Sequence, residues 1–195
     1  MRYYIITGEP SGDIHAANLV SELKKKDHNC TLRAWGGDRL IEEGVSLAKN
    51  IKETAFMGLW SVLINLRVIR ANLSFCKQDI LSFRPDALIL VDYPGFNLKI
   101  AEFAKQNGIK VFYYISPKVW AWNKSRIFKI KKFVDYLLVI FPFEVDFYKR
   151  QGVEVTYVGN PLLDEISRQD FSFSFETSQP IIALLPGSRK QEIDA

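Results

Sequence analysis

Six short apolar segments recur along the chain, and longer segments with helical patterns separate them. The six segments are Tyr3 to Thr7, Thr31 to Trp35, Ala87 to Val91, Val111 to Ile115, Tyr136 to Phe141 and Val155 to Val158. This alternation is typical of a parallel sheet with helices on both faces. We therefore predict an α/β, Rossmann-like fold.

Three intervening segments carry a helical apolar pattern that ends in a stop signal. The first begins at Ser11 or Gly12 and ends with lysines 24–26, where positive charge suits a helix carboxyl end. The other two span Phe96 to Gln106 and Phe143 to Gln151, and a glycine closes each of them.

Composition indicates a globular protein of a reducing cytosol. Hydrophobic residues make up 48% of the 195 residues, and the net charge of +4 permits an anionic ligand without requiring one. Cys30 and Cys76 lack the spacing of a disulfide framework or a zinc site. His15 and His28 are the only histidines and make no ligand set with metal spacing, so we predict no bound catalytic metal. No other cofactor is predicted.

Neither a signal peptide nor a membrane-spanning segment is predicted. The amino terminus enters a strand at once, and no stretch approaches the roughly 18 to 20 apolar residues that cross a bilayer. Any membrane contact is therefore expected to be peripheral.

The chain is predicted to contain one domain and the start of another. Residues 1–166 form the first domain, and the polar stretch 167–179 is expected to be a linker. An apolar strand, Ile181 to Leu185, then opens a truncated second domain over residues 180–195. A lone strand and half a helix cannot bury their apolar faces, so we expect a fragment of a longer protein.

Two loops at the predicted carboxyl edge of the sheet could carry chemistry. The turn from Thr7 to Asp13 exposes amide donors at a helix amino terminus and suits an anion, although a tight turn capped by Ser11 is an equally good interpretation. Asp92 follows the most hydrophobic strand of the first half, where burial raises a carboxyl pKa. We predict that Asp92 is a general base; the alternative is that it caps the next helix.

A third loop, Ser116 to Trp122, places two tryptophans behind a buried strand. It is predicted to contact a ligand at the same edge, where open α/β sheets bind ligands. The alternative is that both indoles only cover the core.

Two further segments bear on membranes. The acid-free segment Phe56 to Leu73 suits an interface or an acyl-chain site, although a core helix is the commoner interpretation. Its candidate contacts are Met57, Leu59, Trp60, Leu63, Ile64 and Arg67. From Lys118 to Lys132 six basic residues occur without an acidic one, which suits anionic headgroups or a solvated face. No nucleic-acid module accompanies them, so no nucleic-acid partner is predicted.

Four motifs together resemble the lipid-A-disaccharide synthase family of bacterial glycosyltransferases. They are GEPSGD at residues 8–13, DYPGFN at 92–97, SPKVWAW at 116–122 and LPGSR at 185–189. The resemblance implies two facing Rossmann-like domains of the GT-B type, of which this chain is the amino-terminal one and the entry to the nucleotide-binding one. It also implies a cytoplasmic enzyme that is peripheral on the inner membrane.

The implied reaction joins UDP-2,3-diacylglucosamine to 2,3-diacylglucosamine 1-phosphate, with inversion, and releases UDP. Asp92 would take the acceptor's proton, and Arg189 would stabilise the departing diphosphate. The implied substrate-binding residues are Gly8, Glu9, Ser11, Gly12, Asn97, Ser116, Trp120 and Arg189. Two residues depart from the family pattern: Gly95 replaces a frequent aspartate, and Asn160 replaces a frequent histidine.

Two other functions stay open from the sequence. One is another enzyme of the same two-domain plan, such as a nucleotide-sugar epimerase. The other is a non-catalytic module that binds anionic lipid. The sequence predicts neither the acyl-chain length nor the oligomeric state.

Overall fold

The computed structural model describes residues 1–53, 66–120, 125–168 and 180–184. The chain divides into two compact units, Met1–Pro161 and Leu162–Ala195. In the first unit seven parallel strands form one sheet in the order β3-β2-β1-β4-β5-β6-β7. The strands are β1 Arg2–Ile6, β2 Thr31–Gly36, β3 Ser46–Asn50, β4 Ala87–Val91, β5 Lys110–Tyr114, β6 Tyr136–Val139 and β7 Thr156–Tyr157. The predicted Rossmann-like α/β class is confirmed.

Helices connect the strands. They are α1 Pro10–Lys26, α2 Asp38–Glu42, α3 Leu66–Phe83, α4 Pro94–Gln106, α5 Arg126–Phe133, α6 Pro142–Arg150 and α7 Pro161–Arg168, with a short 3-10 helix at Ile51–Glu53. Proline opens α1, α4 and α6, because its fixed φ suits the first helical turn and its missing N–H has no partner there. These three helices therefore begin one or two residues earlier than the sequence pattern predicts.

The core lies on both faces of the sheet. In β4, Leu88 and Leu90 pack in one buried cluster, and Ile89 and Val91 pack in the other. All five residues of β4 are buried, since helices cover this central strand on both sides. The chain emerges from the middle of the sheet directly into the loop that carries Asp92.

A polar network fastens α3 to the sheet. Both terminal oxygens of Asp79 accept hydrogen bonds of 2.7 Å from the guanidinium of Arg33. The Tyr4 hydroxyl donates a third bond of 2.7 Å to Asp79 Oδ2. The bidentate geometry and partial burial make this pair a structural link rather than a surface ion pair.

Two sequence expectations about strands are wrong. The edge strand β3 is missing from the predicted set, because its residues are polar and only partly buried. The predicted strand Ile181 to Leu185 is not formed over residues 181–184, where Ile182 is 90% exposed. The backbone of 181–184 has no neighbouring strand among the described residues to pair with. The proposed domain boundaries stay a prediction.

Candidate functional site

The site is built around the point where the strand order reverses. β1 pairs with β2 on one side and with β4 on the other. From β1 to β3 the chain adds strands towards one edge of the sheet, and from β4 onwards it adds them towards the opposite edge, so the order reverses between β1 and β4. Ligands of open α/β sheets bind in the crevice beyond the carboxyl ends of such strands. The loops after β1 and β4 carry Gly8, Glu9, Asp92 and Tyr93, and the fold brings them together here.

Gly8 and Tyr93 hold these two loops in close contact. A Cβ atom on Gly8 would lie 2.2 Å from Cγ of Tyr93, so the aromatic ring occupies the space that any other residue would need. The Tyr93 ring also stacks on Phe96, with ring centroids 5.4 Å apart and an interplanar angle of 23°. The contact fixes the loop of Asp92 against the start of α1.

Asp92 and Tyr93 both have left-handed backbone conformations, with φ of 45° and 48°. Two donors hold the Asp92 carbonyl in place: the Tyr113 hydroxyl at 2.6 Å and Nδ2 of Asn97 at 2.7 Å. Consecutive left-handed residues other than glycine are costly and persist only where the surroundings fix them, often at functional sites. The loop therefore has one rigid backbone path.

Neither capping alternative from the sequence matches the structure. Tyr93, not Asp92, is the N-cap residue of α4. Glu9 is the N-cap residue of α1, and Ser11 lies inside the first turn. The interpretations of Asp92 and Ser11 as caps are therefore wrong. Pro94 starts α4 one residue too late for Asp92 to be its cap, and Pro10 starts α1 before Ser11.

The environment of Asp92 suits a proton acceptor. Burial raises the pKa of its carboxyl group, and the negative charge of Glu9 raises it further, while Lys118 and Arg126 act in the opposite direction. The net shift is upward, so the predicted direction is confirmed. A carboxylate with a raised pKa takes up a proton more readily near neutral pH.

Asn97 and Ser116 are both buried, and each side chain donates to a described partner, whereas Oδ1 of Asn97 accepts no hydrogen bond from the described residues. Asn97 Nδ2 donates to the carbonyls of Asp92 and, at 3.3 Å, of Val91. Ser116 Oγ donates at 2.7 Å to Oε1 of Glu144, a carboxylate that is only 1% exposed. Both residues thus hold loops of the site, and their contact with a substrate stays a prediction.

The loop after β5 is fastened to α6. Glu144 Oε2 accepts the backbone N–H groups of Ile140 and Phe141, at 3.2 and 3.0 Å, while its other oxygen holds Ser116. The Tyr148 hydroxyl donates at 3.1 Å to the carbonyl of Pro117. Glu144 and Tyr148 therefore support this loop. Sequence reasoning missed both residues, since they lie 28 and 31 residues from their partners in the loop.

Trp120 stands at the end of this loop and is 37% exposed. Its indole makes an edge-to-face contact with Phe143, with centroids 5.1 Å apart. The exposed side of the ring is available to a ligand, and its predicted substrate contact is untested. Trp122 lies outside the described residues.

The turn after β1 is tied to the loop after β2. The buried carboxylate of Asp13 accepts the N–H groups of Gly37 at 2.6 Å and Arg39 at 2.9 Å. A cavity of about 240 Å³ lies between these two loops, with Gly8 in its wall. Glu9 and Ser11 are exposed beside it, and Gly12 is buried.

The structure describes one of the predicted membrane or acyl-chain contacts. Arg67 is exposed in the first turn of α3. Five further predicted contacts and the predicted diphosphate ligand lie outside the described part of the chain: Met57, Leu59, Trp60, Leu63, Ile64 and Arg189.

In the described ranges no three His, Cys, Asp or Glu residues are grouped as a metal site requires. The helices of these ranges include none with the length and hydropathy to cross a membrane.

Comparison with known proteins identifies relatives along almost the whole chain. The family model described as lipid-A-disaccharide synthetase matches residues 3–195. Lipid-A-disaccharide synthase of Coxiella burnetii is 43% identical over 97% of this chain and 52% of its own length. Lipid-A-disaccharide synthase 1 of Legionella pneumophila is 44% identical over 99% of this chain and 52% of its own length. The chain spans about half the length of the curated relatives it matches.

Solved structures share the fold at low sequence identity. UDP-GlcNAc 2-epimerase from Neisseria meningitidis, bound to UDP-GlcNAc, has a TM-score of 0.64 at 12% identity and covers 86% of this chain and 48% of its own. The Methanocaldococcus jannaschii UDP-GlcNAc 2-epimerase has a TM-score of 0.62 at 16% identity, covering 87% and 50%. At such identities the similarity shows the fold alone, and it does not favour epimerase activity.

Proposed function

Because this chain belongs to the lipid-A-disaccharide synthetase family, we propose that the complete protein is an inverting glycosyltransferase. It joins UDP-2,3-diacylglucosamine to 2,3-diacylglucosamine 1-phosphate, forms the β-1,6-linked disaccharide and releases UDP. One observation carries the proposal: a carboxylate with a raised pKa, Asp92, on a rigid loop at the switch point of the sheet.

In the proposed reaction Asp92 accepts the proton of the acceptor's 6-hydroxyl. The hydroxyl oxygen forms a bond to the anomeric carbon of the donor, while the bond from that carbon to the diphosphate oxygen breaks with its electron pair. Attack opposite the leaving group inverts the configuration. Asp92 then releases the proton to solvent, and UDP leaves as the anion.

The remaining site residues hold the substrates or fix the loops that contact them. Gly8, Glu9, Ser11 and Gly12 offer amide and carboxylate groups to sugar hydroxyls, and Trp120 offers an aromatic surface. Asn97 and Ser116 act by fixing the loops of Asp92 and Trp120. Arg189 lies in the proposed nucleotide-binding domain and would stabilise the departing diphosphate.

The acyl chains are proposed to lie near the start of α3. Arg67 and Val68 are exposed there, and Val68 is 42% exposed. The other proposed acyl-chain or membrane contacts precede Arg67 in the sequence and are Met57, Leu59, Trp60, Leu63 and Ile64. An apolar and basic surface of this kind suits peripheral attachment to the cytoplasmic face of the inner membrane.

The test is Asp92→Asn in the complete protein. Loss of a general base lowers turnover by about 100- to 10,000-fold, and we expect disaccharide formation to fall in this range. Asp86→Asn is the matched control, because Asp86 lies at the opposite end of β4, where its carboxylate accepts the N–H of Arg2 at 2.7 Å. Both variants should have the same midpoint of thermal unfolding as the unmodified protein. Near-normal turnover of Asp92→Asn would remove Asp92 from the role of base.

A further inference from the structure

Two basic side chains lie close enough to Asp92 for their charges to lower the pKa of its carboxyl group. Lys118 lies in the loop after β5, and Arg126 is the first residue of α5. Their charges act on Asp92 together with Glu9 from the β1–α1 loop. The site therefore holds two carboxylates and two cations, which come from three loops and from the first residue of α5.

The sheet explains why Lys118 comes close to Asp92. Val91 and Tyr114, the last residues of β4 and β5, are paired in register. The N–H of Asp92 also donates to the Tyr114 carbonyl at 3.4 Å. The two loops thus leave neighbouring strands at the same height, and Lys118 follows only four residues after the pair.

The loop of Lys118 is fixed on both sides of the lysine. Pro117 is held through its carbonyl by Tyr148, and Val119 is fully buried. Lys118 itself is exposed, and among the described residues it forms no ion pair. A rigid loop that presents an unneutralised ammonium group at a site is a feature of anion recognition.

Backbone strain at the start of this loop supports a functional role. Ile115 has φ of 62°, which is a genuine outlier for a β-branched residue. Such strain persists where the surrounding contacts impose it, as the bonds to Ser116 and Pro117 do here.

We infer that Lys118 and Arg126 bind the phosphate of the acceptor sugar beside the hydroxyl that Asp92 deprotonates. The inference rests on the proposed function. Asp92 has to contact the acceptor, and the acceptor's 6-hydroxyl and 1-phosphate are carried by one sugar ring, so the phosphate-binding groups have to lie on the same side of the site as Asp92. Without the two cations, Asp92 and Glu9 would repel a phosphate dianion. A guanidinium and an ammonium group are the usual phosphate-binding pair.

The experiment compares Lys118→Gln with Lys118→Arg in the complete protein. We expect Lys118→Gln to raise KM for the phosphorylated acceptor by about tenfold, which is the effect of losing one charge-assisted hydrogen bond. The Ki of the same acceptor without its phosphate, used as a competitor, should stay the same, and Lys118→Arg should retain most of the affinity. Turnover by the unmodified protein tests the proposed function separately.

A second readout follows from the charge on Lys118. Lys118 lowers the pKa of Asp92, so Lys118→Gln should move the acid limb of kcat/KM to higher pH. Lys129→Gln is the control, since Lys129 is exposed on α5, the helix that begins with Arg126. An equal loss of affinity for both acceptor forms would overturn the inference. A rise in donor KM, which would assign the pair to the diphosphate, or an equal effect of Lys129→Gln, which would indicate general surface attraction, would also overturn it.

Discussion

The contact between Gly8 and Tyr93 predicts a large effect from adding one methyl group. In Gly8→Ala the new Cβ would lie between 2.2 and 2.5 Å from three carbons of the Tyr93 ring. Ordinary contact begins near 3.4 Å, so the ring or the turn has to move by about 1.2 Å. Overpacking of this kind costs about 1 to 3 kcal/mol.

The same displacement should reach the chemistry, because Tyr93 directly follows Asp92. The neighbouring ring of Phe96 blocks retreat of Tyr93 on one side, so the loop of Asp92 has to take up part of the movement. A misplacement of about 1 Å at a reacting group lowers the rate by about 100-fold. We expect this loss of kcat in the complete protein, measured by formation of the disaccharide.

Tyr93→Ala is the background that tests the reasoning. Without the aromatic ring, the alanine at position 8 has room, so Gly8→Ala should lower kcat by less than about tenfold in that background. If Gly8→Ala lowers kcat equally with and without Tyr93, the steric argument is refuted, and Gly8 acts by direct approach to the substrate.

Two further predictions concern the supports of the site and of the sheet. Tyr113→Phe removes one of the two donors to the Asp92 carbonyl, so kcat should fall by about tenfold with little change in KM; unchanged kcat would show that Asn97 alone suffices. Asp79→Asn should lower the free energy of unfolding at neutral pH by about 1 to 2 kcal/mol in urea denaturation, because the pair is partly buried and asparagine keeps one acceptor oxygen. Burial acts to raise the pKa of Asp79, but the bonds from Arg33 and Tyr4 lower it overall. The folded pKa is then below the unfolded one, so the stabilisation is present above the unfolded pKa and is lost as the pH falls through the folded pKa. A pH-independent difference between Asp79→Asn and the unmodified protein would contradict this assignment.

The sequence predicts the position of Asp92 because strand and helix patterns alternate clearly. Once β4 is recognised as a buried parallel strand, the residue after it has to lie at the carboxyl edge, and its burial follows. The turn after β1 is predicted at the same edge by the same argument. The sequence does not show that these two loops are neighbours. That follows from the pairing of β1 with β4, which only the strand order of the sheet reveals.

The supporting side chains are not predictable in this way. Tyr113 reads as an ordinary strand residue, and nothing in its spacing shows that its hydroxyl holds the carbonyl of Asp92. Glu144 reads as a charged residue in the first turn of a helix, yet it is buried against Ser116. Both contacts join segments that are distant in sequence, so local patterns carry no signal for them. The left-handed conformation of Asp92 and Tyr93 also depends on these contacts.

The most direct test of Asp92 as the base is the pH dependence of kcat/KM in the complete protein. Burial and Glu9 raise the pKa of Asp92 above that of a free aspartate. The acid limb of the kcat/KM profile should therefore have an apparent pKa above the ordinary aspartate value. The residual activity of Asp92→Asn should lack this limb. An acid limb at the ordinary aspartate pKa, or one that persists unchanged in Asp92→Asn, would contradict the account.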